Sequence, residues 1–166
     1  MRKYDYRDSM GFIVKSTAKA FESAFDQILQ DKVGITVTQS RVLGVLVLVK
    51  NGMTQKEIAD RIGVEAPSIV PIIDRLEEQK LVTRRPDAAD RRNNLIFLTT
   101  KAEEKWNLII DCAVELQKVS SRGLSEKEIE ITKTTLRKIA QNICVAAPPI
   151  KKTRQGSGLS PRKSVQ

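Results

Sequence analysis

Residues 54–99, TQKEIADRIGVEAPSIVPIIDRLEEQKLVTRRPDAADRRNNLIFLT, decide the fold. Thr54 stands three positions before Glu57, so its hydroxyl and the carboxylate can each satisfy a free backbone N–H, and a helix is predicted to start here. Ile58, Ala59 and Ile62 recur at the three-and-four spacing of one apolar face. Gly63 falls where a left-handed cap favours a residue without Cβ, so this helix ends at about Ile62. After Val64 and Glu65, a second apolar row through Ile69, Ile72, Ile73 and Leu76 predicts the recognition helix of a helix-turn-helix. Residues 81–85 and 95–98 are strand-like runs rich in β-branched and apolar side chains, separated by a polar segment that opens with Pro86. They predict a hairpin with its tip at residues 87–94. The fold class expected is therefore mainly α with a small β-hairpin wing: a winged helix-turn-helix with long N- and C-terminal dimerisation helices.

The flanks supply those helices. Val14, Ala18, Phe21, Phe25 and Ile28 alternate steps of four and three, predicting an amphipathic helix over residues 9–29. Thr38 is read as the cap of the next helix, which runs to Lys50 and is apolar almost all round over residues 42–49, as a central core helix would be. Ala102, Trp106, Ile109, Ala113 and Leu116 repeat the four-three step, and Ser125 with Glu128 opens a last helix through Ile129, Leu136, Ile139 and Ile143. Three such stripes exceed what one small winged core can cover, so a homodimer is expected. Its two recognition helices would lie about one DNA turn apart, roughly 34–36 Å, over a pseudo-palindromic site. The expected divisions are residues 1–35, an N-terminal dimerisation helix; 36–99, the winged helix-turn-helix; 100–147, the C-terminal dimerisation helices; and 148–166, a disordered basic tail.

Of the net charge of +9, the tail contributes five through Lys151, Lys152, Arg154, Arg162 and Lys163, so basicity alone says little about the folded part. The local signal is sharper. Residues 80–95 hold five basic and two acidic side chains. That density suits phosphates flanking a groove, the alternative being a solvated loop. The longest apolar run is eight residues against the ~20 a membrane span needs. With no secretory signal legible and two distant cysteines, a cytoplasmic protein with no membrane association is expected. The absence of histidine removes the commonest general base, so no enzyme, cofactor or metal site is expected.

Residues 76–82 (LEEQKLV), 87–92 (DAADRR) and 98–102 (LTTKA) resemble the MarR family of transcriptional regulators, and residues 66–70 (APSIV) resemble its SlyA-like branch. The resemblance spans roughly residues 10–145. It implies a dimeric repressor or activator that binds an inverted repeat in double-stranded DNA and is released by a small aromatic or phenolic ligand. It also implies that the wing, Asp90, Arg91 and Arg92, contacts DNA. Arg92 would enter the minor groove, whose negative potential attracts a guanidinium, while Asp90 steadies it or simply forms the turn.

Recognition-helix contacts are expected from Pro67, Ser68, Ile69 and Arg75. Phosphate contacts are expected from Thr38, Gln39, Arg41, Thr54, Gln55, Arg84 and Arg85, where capping explains Thr38 and Thr54 equally well. Pro71 occupies a position where SlyA-like members carry arginine, so direct readout should be modest. To spare the cost of an interior proline, regular helix is expected to begin with Ser68 as N-cap. Lys80 and Ala102 replace frequent family glycines, with small local adjustments expected. Two alternatives stay open: a winged-helix protein-interaction module without specific DNA readout, and a regulator that senses oxidants through cysteine.

Overall fold

The computed structural model describes residues 5–88, 90 and 93–146. The elements run α1 (Met10–Val33), α2 (Val37–Leu48), β1 (Met53–Thr54), α3 (Gln55–Ile62), α4 (Ala66–Glu78), β2 (Val82–Pro86), β3 (Asn94–Leu98), α5 (Thr100–Ser120) and α6 (Glu126–Ala146). They form two units, residues 1–120 and residues 121–166. None of the described helices is long and apolar enough to cross a membrane.

In the first unit, α1 begins at the cap Ser9 as expected but runs to Val33, ending on Gly34 at φ 74°. Only its C-terminal end, Leu29 and Val33, is fully buried. Upstream, Ile13, Val14 and Phe21 are exposed. The cap of α2 is Thr36, not Thr38. Thr36 Oγ1 accepts from the Gln39 N–H at 3.2 Å, and Gln39 Oε1 accepts from the Thr36 N–H at 2.8 Å. Thr38 has no acceptor three residues on, where Arg41 stands, whereas Thr36 has Gln39; the box is legible two residues earlier. Val42, Leu43 and Leu46 of α2 are buried, while Val47, Leu48 and Val49 are exposed, so the helix has one core face rather than an all-round one. Gly44 allows the Trp106 ring of α5 to lie against α2: a Cβ there would stand 3.2 Å from it.

The sheet has three strands, not the two expected, in the order β1-β3-β2, all antiparallel. β1 pairs Met53 with Ile96 and Thr54 with Leu95, so the residues that lead into α3 are also stitched to the wing. Leu76, Leu81 and Ile96 close the core between α4 and this sheet. On α5 the expected row holds, with Ala102 and Ile109 buried and Trp106 and Leu116 half-buried, except that Cys112 is buried in place of Ala113, which is exposed. In the second unit, α6 opens with the expected box: Glu128 accepts from the Ser125 N–H at 2.8 Å and from its hydroxyl at 2.6 Å. Ile131, Leu136 and Ile143 of α6 are exposed.

Lys80 is the described non-glycine residue with positive φ, at 59°. Its N–H reaches Glu77 O at 2.8 Å and the Leu81 N–H reaches Leu76 O at 2.9 Å, which together close the C-terminus of α4. A left-handed residue with a Cβ is strained by roughly 1–2 kcal/mol. Lys80→Gly is therefore expected to stabilise the protein by about 1 kcal/mol, read as a higher urea midpoint with unchanged slope. A lower midpoint would show that the lysine side chain stabilises more than its backbone strain costs.

Candidate nucleic-acid interface

The reading head starts with a cap at α3. Thr54 Oγ1 accepts from the Glu57 N–H at 3.2 Å, and Glu57 accepts from the Thr54 N–H at 2.8 Å and from its hydroxyl at 2.9 Å. The backbone N–H and hydroxyl of Thr54 hold the Glu57 carboxyl below the usual carboxylate range. The stabilisation this box contributes is thus present at neutral pH and lost as pH falls through that lowered value. α3 ends on Gly63 at φ 76°, whose N–H donates to Ala59 O at 3.0 Å, and Val64 and Glu65 complete the turn. This is the helix-turn-helix the sequence predicts.

α4 corrects two expectations. Helix begins at Ala66 with Glu65 as N-cap, so Ser68 lies inside the first turn and Pro71 inside the helix. Pro71 and Pro67 are both exposed, so water can serve the Pro67 carbonyl that Pro71 cannot, and the cost of the interior proline is met at a solvated face. Ile69 is 1% exposed and belongs to the core, so it cannot touch a base. The outward residue is its neighbour Val70, at 44% exposure. The apolar row Ile69, Ile73, Leu76 sets the buried phase, and a residue one step off that phase must face out; the signal was present in the sequence. Pro67 and Ser68 are exposed as expected.

Between the start of α3, the start of α4 and the foot of the wing lies a cleft of about 370 Å³ lined by Thr54, Gln55, Lys56, Ala66, Ile69, Val70, Asn93 and Asn94. Gln55 Oε1 is buried there without a hydrogen-bond partner. In the wing, the Asp87 N–H donates to Asn93 O at 3.0 Å, the Asn93 N–H to Asp90 O at 2.9 Å, and Asn93 Nδ2 to Asp90 Oδ2 at 3.1 Å. Arg91 and Arg92 lie outside the described residues.

Arg84 has a different place from the one expected. Its guanidinium meets Asp74 at 2.5 Å and also binds Glu77, whose other oxygen accepts the Arg84 N–H at 3.0 Å. Burial works against its charge, but the hydrogen bonds to Asp74 and Glu77 outweigh it and raise its pKa. Arg84 thus ties β2 to α4 and presents little of its guanidinium to a phosphate. Arg85 is exposed and lies over the Phe97 ring, 4.8 Å from its centroid, in a cation–π contact.

The other expected contacts lie elsewhere. Gln39 is buried and occupied by its cap, and Thr38 is half-buried in the first turn of α2. Arg75 borders a cleft with Gln30, Gly34, Thr36, Gln39 and Gln79, apart from Val70. Arg41 pairs with Glu22 at 2.7 Å and lines a second cavity, about 400 Å³, between α1, α2 and α5, with Phe25, Gly44, Trp106, Ile109 and Ile110. Cys112 is buried in the core, and burial raises its thiol pKa, so it is not poised as a thiolate. Cys144 is exposed.

A sequence model of the MarR family matches residues 33–93, from the end of α1 into the wing. Among solved structures, a MarR-family transcriptional regulator from Rhodococcus sp. RHA1 is 25% identical with a TM-score of 0.72, covering 83% of this chain and 96% of that one. Apo MarR from E. coli is 19% identical with a TM-score of 0.73, covering 83% and 98%. BpsR from Bordetella bronchiseptica, whose DNA binding is regulated by 6-hydroxynicotinic acid, is 22% identical with a TM-score of 0.71, covering 84% and 98%. These matches name the family and not its SlyA-like branch. By its helix-turn-helix and three-stranded wing, the chain has the fold of MarR-family transcriptional regulators, and its residues 33–93 match the sequence model of that family.

Proposed function

We propose that this protein is a sequence-specific transcriptional regulator, a repressor, that binds an inverted repeat in duplex DNA as a homodimer and is released by a small aromatic or phenolic ligand. One observation carries the DNA reading: the exposed start of α4, the capped start of α3 and the foot of the wing border a single cleft. A recognition helix and a wing disposed this way can engage a major groove and its flanking backbone together. Pro67, Ser68 and Val70 face outward to the bases, and Arg85, Thr54 and Gln55 stand where phosphates would pass. Dimerisation is supported by the exposed apolar side chains of α1 and α5, among them Ile13, Phe21, Leu108 and Val114.

The ligand reading rests on the cavity between α1, α2 and α5. It is mostly apolar, aromatic on two sides and bordered by Arg41, a combination suited to an aromatic acid. Trp106 is the one tryptophan of the chain, so its fluorescence reports on this cavity directly. Hydroxybenzoates titrated into the protein should quench it saturably and weaken DNA binding in the same concentration range.

The DNA reading is tested by selecting duplexes from a random library at two salt concentrations, using the full chain and a chain ending at residue 147. Enrichment of an inverted repeat by both supports it. Binding that vanishes with the tail or selects no sequence would instead favour a protein-interaction module. On a selected duplex, Arg92→Ala should weaken binding and lower the salt slope by about one unit for each wing. An unchanged slope would remove Arg92 from the interface.

A further inference from the structure

We propose that α4 reads thymine, by contact of Val70 and Pro71 with C5-methyl groups in the major groove, and disfavours guanine at the same positions. The inference rests on the DNA-binding reading above and specifies what that site selects. The outward residues over the first half of α4 are Ala66, Pro67, Ser68, Val70 and Pro71. Four of the five have no side-chain donor or acceptor, and Pro67 and Pro71 lack even a backbone N–H. Ser68 is the one polar side chain among them, and a serine hydroxyl discriminates little between bases.

The apolar feature that a major groove offers is the thymine methyl group, whereas guanine presents two acceptors, O6 and N7, that call for a bidentate cation. This face supplies none. One turn beyond Val70 stands Asp74, exposed and ion-paired with Arg84 at 2.5 Å. A carboxylate cannot donate to the guanine acceptors, and the Arg84 guanidinium, held by both Asp74 and Glu77, is not free to do so. Charge and apolarity on α4 therefore agree: the surface complements a methyl-lined groove segment and not a guanine edge. Val70 is 44% exposed, so its truncation leaves the core of the fold intact.

The test starts from a duplex selected by the wild-type chain. Each thymine of a half-site is replaced singly by deoxyuridine, which removes the methyl and keeps the base pair. At one or two positions binding should fall by about three- to fivefold, the worth of one buried methyl-sized group. Val70→Ala should weaken binding to the thymine duplex by a similar factor and not weaken it further on the matching deoxyuridine duplex, with an unchanged salt slope. Specific binding that ignores every deoxyuridine replacement, or losses from Val70→Ala and deoxyuridine that simply multiply, would overturn thymine reading while leaving the regulator assignment intact. Failure of the wild-type chain to select any sequence would overturn both.

Discussion

Gly52→Ala is expected to destabilise the first unit by about 2–3 kcal/mol, lowering its thermal midpoint by about 8–12 °C. Gly52 follows α2 at φ 85°, where any Cβ is strained, and its N–H donates to Ile96 O at 3.1 Å, which fixes the turn to β3. An alanine Cβ would also stand 2.5 Å from the Phe97 ring. The ring must then move, and it carries the Arg85 guanidinium on it. Thermal unfolding followed by circular dichroism gives the midpoint. The double variant with Phe97→Ala separates the two causes: the backbone strain persists, while the steric part disappears. A loss below about 0.5 kcal/mol for Gly52→Ala alone would show that both turn and ring adapt freely.

The second large effect concerns Arg84, a residue that positions the wing. Arg84→Ala should cost about 1–2 kcal/mol of stability, the range for hydrogen bonds to charged groups reduced by partial exposure. It leaves Asp74 and Glu77 without their shared cation and frees β2 from α4. If that anchorage holds the wing ready for the groove, DNA binding should weaken roughly tenfold, equivalent to about 1.4 kcal/mol. The salt slope distinguishes this role from direct phosphate contact. A positioning residue leaves the slope unchanged, whereas loss of a phosphate contact lowers it by about one unit. Arg84→Met, which keeps the apolar stem, should lose the affinity as well. Full affinity in both variants would show that the wing keeps its place without the ion pairs.

Features of the cleft that depend on near neighbours are legible in the sequence, and those that depend on contacts between elements are not. The Thr54–Glu57 box and the left-handed Gly63 were legible because each depends on residues within four or five positions. The pairing of Arg84 is not legible in the sequence because its partners, Asp74 and Glu77, are ten and seven residues away on another element. The apolar row of α4 puts Ile69 in the core and leaves its neighbour Val70 exposed, so the outward residue is legible from the helical period. Arg41 was read from its place near a helix start, whereas its neighbours across α1 and α5 put it at the aromatic cavity.

The sequence by itself determined the order of helices and hairpin, the turn between α3 and α4 and the MarR resemblance, because capping, left-handed glycine and apolar period are local physics. Tertiary structure alone decided that Met53 and Thr54 form a strand, since their partners Ile96 and Leu95 lie some forty residues on and two residues have no strand period of their own. It also decided which cations stay available at the surface. A charge in a sequence is only a side-chain type, and whether it meets a carboxylate, a ring or solvent depends on which elements the core draws together.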